Sequence, residues 1–156
     1  MYTMKADLST TQRRQSGVTL LELMIVLGVV GILGVLAYPA YTDYIIRSNR
    51  AAAKSFLLQV ADRQEQFFGD TKSYAANLTQ LGYASDAFSI DKRGAPLPAA
   101  DPDGIYSLSL TNTTATTFTA NAAPMHRQAA RDVDCLTLTL THTGLRGQTG
   151  AATNCW

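Results

Sequence analysis

Residues 18–38 read VTLLELMIVLGVVGILGVLAY, and Glu22 is the single charge among these 21 positions. A helix that crosses a ~30 Å hydrocarbon core needs about 17–25 predominantly apolar residues. This run meets that length, and no other segment of the chain approaches it. At 156 residues, 46% hydrophobic and 16% charged, the remainder has room for one ordinary folded domain. Lys5, Arg13 and Arg14 precede the run with only Asp7 in opposition. Positive flanks stay cytoplasmic, so everything beyond the span is expected to be exported.

An exported head meets an oxidising environment. Both cysteines, Cys135 and Cys155, lie in it, an even count available for one disulfide. On the chain-entropy account, closing that loop contributes roughly 3 kcal/mol. Neither cysteine sits in a C-x-x-C pair or has a histidine at metal-ligand spacing, so a structural role is expected.

A basic region followed by an apolar run also describes a secretory signal, and Ala37-Tyr38-Pro39-Ala40 offers small residues for a signal peptidase. Against that reading, the run exceeds the ~7–15 residues of a signal core, carries an acid near its start, and continues into helical sequence. The junction Arg13-Arg14-Gln15-Ser16-Gly17-Val18-Thr19-Leu20-Leu21-Glu22 resembles the processing site of a type IV prepilin. In that family a short basic leader ends in glycine, a dedicated peptidase cuts after it, and the new N-terminal residue is methylated. The resemblance implies a leader at residues 1–17, cleavage between Gly17 and Val18, methylation of Val18, and Glu22 as the fifth residue of the mature chain. The family most often has phenylalanine where this chain has Val18.

Glu22 also carries an argument of its own. A carboxylate at mid-span costs about 2.5–3.5 kcal/mol on insertion scales, so it is expected to be partnered or held at the interface. Cleavage after Gly17 leaves the amine of Val18 four residues away on the same helix face. The resemblance implies that the decisive partner is the Val18 amine of a neighbouring subunit. A glutamate that merely snorkels to the interface is the plainer alternative.

Ala51-Ala52-Ala53-Lys54-Ser55-Phe56-Leu57-Leu58-Gln59-Val60 is rich in helix formers and Gly69 is a natural stop, which predicts one helix over 18–69. Phe56, Val60 and Phe67 recur at helical spacing as its packing face. Gly28, Gly31 and Gly34 form a small-residue stripe that permits close helix approach, or reflect the tolerance of membrane helices for glycine. Pro39 is expected to kink or open the helix. In the resembling filaments the backbone melts between the positions matching Gly31 and Pro39.

Residues 70–156 read as the exported globular head. Residues 70–104 mix Gly, Pro, Asp and Ser and predict an irregular connection, pinned by Tyr74, Leu78, Leu81 and Tyr83. Residues 105–110, 118–122 and 136–140 predict strands, the last alternating leucine and threonine. The expected architecture is α+β: a long N-terminal helix, its first half (18–38) in the membrane, packed on three or four antiparallel strands, with a disulfide-closed C-terminal loop.

Gln128, Asp132, Cys135-Leu136-Thr137-Leu138, Gly144 and the terminal Cys155-Trp156 resemble the minor pilins of the PilE/ComP group. The resemblance implies a type IV pilin fold and a low-abundance subunit that helps prime pilus assembly and supports twitching motility. Its implied partners are other pilin subunits, the prepilin peptidase, the inner-membrane assembly machinery and, before assembly, inner-membrane lipid; its place is the inner membrane first and the surface pilus afterwards. One branch of the group is instead a DNA receptor in natural transformation, and pseudopilins of type II secretion systems share the leader and helix. Over residues 85–156, Lys92, Arg93, Arg127, Arg131 and Arg146 face Asp86, Asp91, Asp101, Asp103, Asp132 and Asp134, five minus six or minus one. Nucleic-acid surfaces are basic, and the interleaved aspartates dilute one here, leaving Arg127, Arg131 and Arg146 as candidate DNA contacts. His126 and His142 are the two histidines, and no nucleophile elbow, phosphate-binding loop or paired-carboxylate motif occurs. No catalytic residue, cofactor or metal is implied.

Overall fold

A computed structural model of the chain describes residues 17–156. They divide into two compact units, the first ending at Pro39 and the second spanning Ala40–Trp156. Helix α1, Leu20–Thr71, begins in the first and ends in the second. It runs through Pro39 without a break and past Gly69. The left-handed residue that ends it is Lys72, at φ 61°, whose backbone N–H bonds the carbonyl of Phe68 and whose ammonium bonds that of Gly69. Lys72 here takes the left-handed position that glycine commonly fills, and its cation adds a bond to a free carbonyl.

Within the second unit α1 buries Asn49, Ala53, Phe56, Leu57, Val60 and Gln64, steps of three and four residues that keep one stripe facing inward. Against it stands an antiparallel sheet of six strands: β1 Phe88–Ile90, β2 Pro96–Pro98, β3 Tyr106–Thr111, β4 Thr119–Pro124, β5 Leu138–Thr141 and β6 Arg146–Gln148, in the order β2-β1-β3-β4-β5-β6. Register aligns Phe88, Leu108, Ala122 and Leu138 in one row, and Leu110, Ala120 and Leu140 in the next. Alternation turns these residues toward the helix and leaves serines and threonines on the outer face.

The expectation of three or four strands is therefore corrected to six. The central strands β3, β4 and β5 match the predicted runs to within two residues at their ends. β1 and β2 lie in the stretch read as an irregular connection. β1 is buried at all three positions and so lacks a two-residue period, while β2 is Pro-Leu-Pro. Proline cannot donate to a ladder and is tolerated on an outermost strand, where β2 sits. β6, Arg-Gly-Gln, has no apolar residue to announce it.

The connection between α1 and β1 is fastened at particular points. The Gln64 side chain pairs with the backbone of Ala75, donating to its carbonyl and accepting from its N–H. Leu78 and Leu81 are buried beneath the short 3-10 turn Thr79–Leu81. The Tyr74 ring meets Phe118 edge-on, and the Arg63 guanidinium lies over Tyr83 while bonding the Leu81 carbonyl. Cys135 and Cys155 are joined, with Cα atoms 5.6 Å apart. The Trp156 indole N–H donates to the Gly147 carbonyl, anchoring the tail on β6.

Candidate functional site

Two features carry chemistry, one in each unit. In the first, α1 contains a window long and apolar enough to cross a membrane, none of it buried within the structure. Leu20, Val35 and Leu36 are each at least 68% exposed. The Cβ positions of Gly28, Gly31 and Gly34 meet nothing within 4 Å. A soluble fold does not present such a surface to water, which marks it as a surface for lipid or for other helices.

Glu22 lies in the first turn. The Thr19 hydroxyl accepts the backbone N–H of Glu22 at 3.2 Å, and the Thr19 carbonyl accepts that of Leu23. Thr19-x-x-Glu22 thus has the spacing of a capping box, with the N-cap half formed. A carboxylate there also favours the positive end of the helix dipole. This local role was absent from the sequence reading, although the spacing was visible. Gly17 and Val18 precede the helix and are exposed. Lys5, Arg13 and Arg14, with the rest of the expected leader before Gly17, lie outside the described residues. Gly31 and Pro39 both fall inside uninterrupted helix.

In the second unit a buried polar cluster ties α1 to the short helix α2, His126–Arg131, and the residues after it. Arg50 on α1 donates to Asp132 through Nε at 2.9 and 3.0 Å and through Nη2 at 2.6 Å. Asp132 is wholly buried and Arg50 only 15% exposed. Tyr106 Oη donates to the same carboxylate at 2.7 Å, and Gln128 Nε2 at 3.0 Å. Asn49 Nδ2 then donates to Gln128 Oε1 at 2.9 Å. Burial alone pushes the Asp132 carboxyl up, but the bonds from Arg50, Tyr106 and Gln128 outweigh it and hold the group below its usual range. The Tyr106 phenol is pushed up, first by burial and then by its bond to Asp132. Gln128 and Asp132 entered the sequence reading only as marks of resemblance, and their partner Arg50 was not singled out.

The clamp also revises the charge count. Asp132 is neutralised inside the head and dilutes no basic surface, so the surface tally for residues 85–156 becomes five against five. Over residues 40–156, removing Lys5, Arg13 and Arg14 from thirteen bases and Asp7 and Glu22 from twelve acids leaves ten of each. Arg127 and Arg131 lie one turn apart on α2, both exposed. Arg131 shares a cleft with Arg47, Arg50 and Cys135. Arg146 lies over the Trp156 ring at 5.5 Å. Lys54 feels both Arg50 and Arg146 and is shifted down, by burial first and by those two charges next. Arg131 therefore neighbours Arg50 and Arg146 neighbours Lys54, whereas Arg127 is not among the residues lining the cleft.

The family model described as type IV minor pilin ComP, DNA uptake sequence receptor, matches residues 39–139. The model of the prokaryotic N-terminal methylation motif matches residues 12–38. No curated protein matches the chain.

Proposed function

The chain belongs to the type IV minor pilin family, and from that premise we propose that it is a low-abundance subunit that primes pilus assembly and supports twitching motility. It is a structural pilus subunit, held in the inner membrane by its apolar helix and later assembled into a surface pilus. Pilins are structural rather than catalytic proteins, and they work with other pilins and with an assembly machinery. The finer reading adds cleavage by the prepilin peptidase between Gly17 and Val18, methylation of Val18, a contact from Glu22 to a neighbour's new amine, and opening of the helix between Gly31 and Pro39 within the filament.

The observation that carries this reading is the conjunction at residues 12–38: a methylation motif leading directly into an exposed apolar helix with a carboxylate in its first turn. Mass spectrometry of sheared surface filaments tests it. The chain is expected there at low stoichiometry, beginning at methylated Val18. Recovery only from the periplasm, beginning near Ala40, would return an ordinary signal sequence to first place, and recovery with a secretion apparatus would make it a pseudopilin.

A second reading, DNA capture, draws support from the description of the family model matching residues 39–139 and from the removal of Asp132 from the surface charge. On that reading Arg127, Arg131 and Arg146 neutralise three backbone phosphates, and the logarithm of duplex affinity falls with that of salt at a slope of about −3. Replacing all three by glutamine flattens the slope. Affinity for duplex DNA that ignores salt would remove the reading.

A further inference from the structure

Between the start of the second unit and the disulfide-closed tail lies a cleft of about 240 Å³ whose polar lining is Asp43, Arg47, Arg50, Arg131, Asp134 and Asn154. Arg50 is committed to Asp132, and that contact is the one salt bridge among the described residues. The four remaining charges, two of each sign, face the same space without closing on one another. Arg47 bonds the backbone carbonyl of Asp43 through Nε, and Arg131 makes no side-chain hydrogen bond among the described residues.

The position of this cleft along the chain is as informative as its charge. Asp43 is five residues beyond Tyr38, the end of the apolar run. Five residues reach at most about 18 Å when extended and advance about 8 Å in a helix. The headgroup layer adds roughly 5–8 Å on each side of the hydrocarbon core. Tyr41 and Tyr44, each 64% exposed, stand in the same interval, where aromatic rings gather at membrane interfaces.

We propose that, before assembly, this cleft holds the zwitterionic headgroup of an aminophospholipid, with the phosphate against Arg47 and Arg131 and the ammonium against Asp43 and Asp134. The volume is below the ~300–1,000 Å³ of sites that enclose a whole small molecule, and a headgroup whose acyl chains stay in the bilayer needs no more. A headgroup without an amine, such as that of phosphatidylglycerol, or the backbone of DNA, would bring no cation for the two carboxylates. A choline headgroup has no N–H to donate to them. The inference rests on the membrane-held form described above.

The test uses the full chain, purified in detergent and analysed by native mass spectrometry after incubation with phosphatidylethanolamine, phosphatidylcholine or phosphatidylglycerol. The phosphatidylethanolamine adduct is expected to exceed either of the others about fivefold, in keeping with two part-exposed ion pairs. Arg131→Gln with Asp134→Asn should bring it down to the phosphatidylcholine level at unchanged Tm, both side chains being exposed. Equal retention of the ethanolamine and choline lipids, preference for phosphatidylglycerol, an unaffected double variant, or displacement of the lipid by a short DNA duplex would each overturn the assignment. A chain that fails to float with vesicles would overturn the membrane-held form itself, whereas one that floats without headgroup preference overturns only this inference.

Discussion

Glu22→Ala is expected to leave export and leader removal intact while lowering recovery of the chain in sheared filaments more than a hundredfold. The alanine removes a carboxylate that costs free energy to place near the membrane, so insertion is eased rather than impaired. On the pairing proposed above, what disappears is the partner for a neighbour's Val18 amine. A charge left unpaired among packed apolar helices costs about 3–5 kcal/mol, or more than two powers of ten in incorporation. The capping box supplies a competing explanation, since alanine keeps the bond from the residue-22 N–H to the Thr19 hydroxyl but cannot supply the side-chain half of the box. Glu22→Gln separates the two. Glutamine serves the capping box as well as glutamate does but carries no charge. Exclusion of both variants supports the charge pairing, and normal incorporation of the glutamine variant would reduce Glu22 to a helix-capping residue.

Most of what the sequence showed in advance is encoded locally. The apolar run, the methylation motif over residues 12–38, the inward stripe through Phe56 and Val60, and the leucine–threonine alternation of β5 all depend on neighbours within a few positions. The short strands escaped because three residues cannot display a period, and because β2 is mostly proline and tolerable only at a sheet edge that the sequence does not mark. The helix end escaped for a related reason. Gly69 has the residue type of a stop, but Lys72 takes the left-handed position and supplies its own cation to a free carbonyl. In the head, the polar clamp was half visible. Gln128 and Asp132 are four apart and evidently share a face of one turn, yet Arg50 lies 82 residues from Asp132 and no periodicity joins them. An arginine beside a run of alanines in a helix that must pack on a sheet is a signal of sorts, since it needs a buried acid or a route to solvent. Choosing Asp132 from ten acids requires the fold.

That clamp is where the head should be most sensitive to substitution. Asp132→Ala is expected to cost about 3–5 kcal/mol, because it strands the Arg50 guanidinium at 15% exposure and leaves the Tyr106 hydroxyl without its acceptor. Urea unfolding of the detergent-solubilised chain measures the loss. Changing Arg50→Leu together with Asp132→Leu should recover more than half of it, since a buried pair replaced by apolar side chains is often nearly neutral whereas a broken pair is not. A double variant as unstable as the single one would mean that the bonds from Tyr106 and Gln128, rather than the ion pair, hold α2 to α1. Acidity probes the same cluster without mutation. The Asp132 pKa is lowered in the folded chain, so its stabilisation is fully present above the ordinary value of 3.8 and is lost as pH falls through the lower folded value. The Tyr106 pKa is raised, so its contribution holds below the ordinary value of 10.0 and is lost as pH rises above it. Unfolding free energy should therefore keep the clamp's contribution between about pH 4 and pH 10 and lose it outside those limits. In Asp132→Ala the acid limb of that dependence should flatten. An unchanged acid limb would place the titrating carboxylate elsewhere in the head.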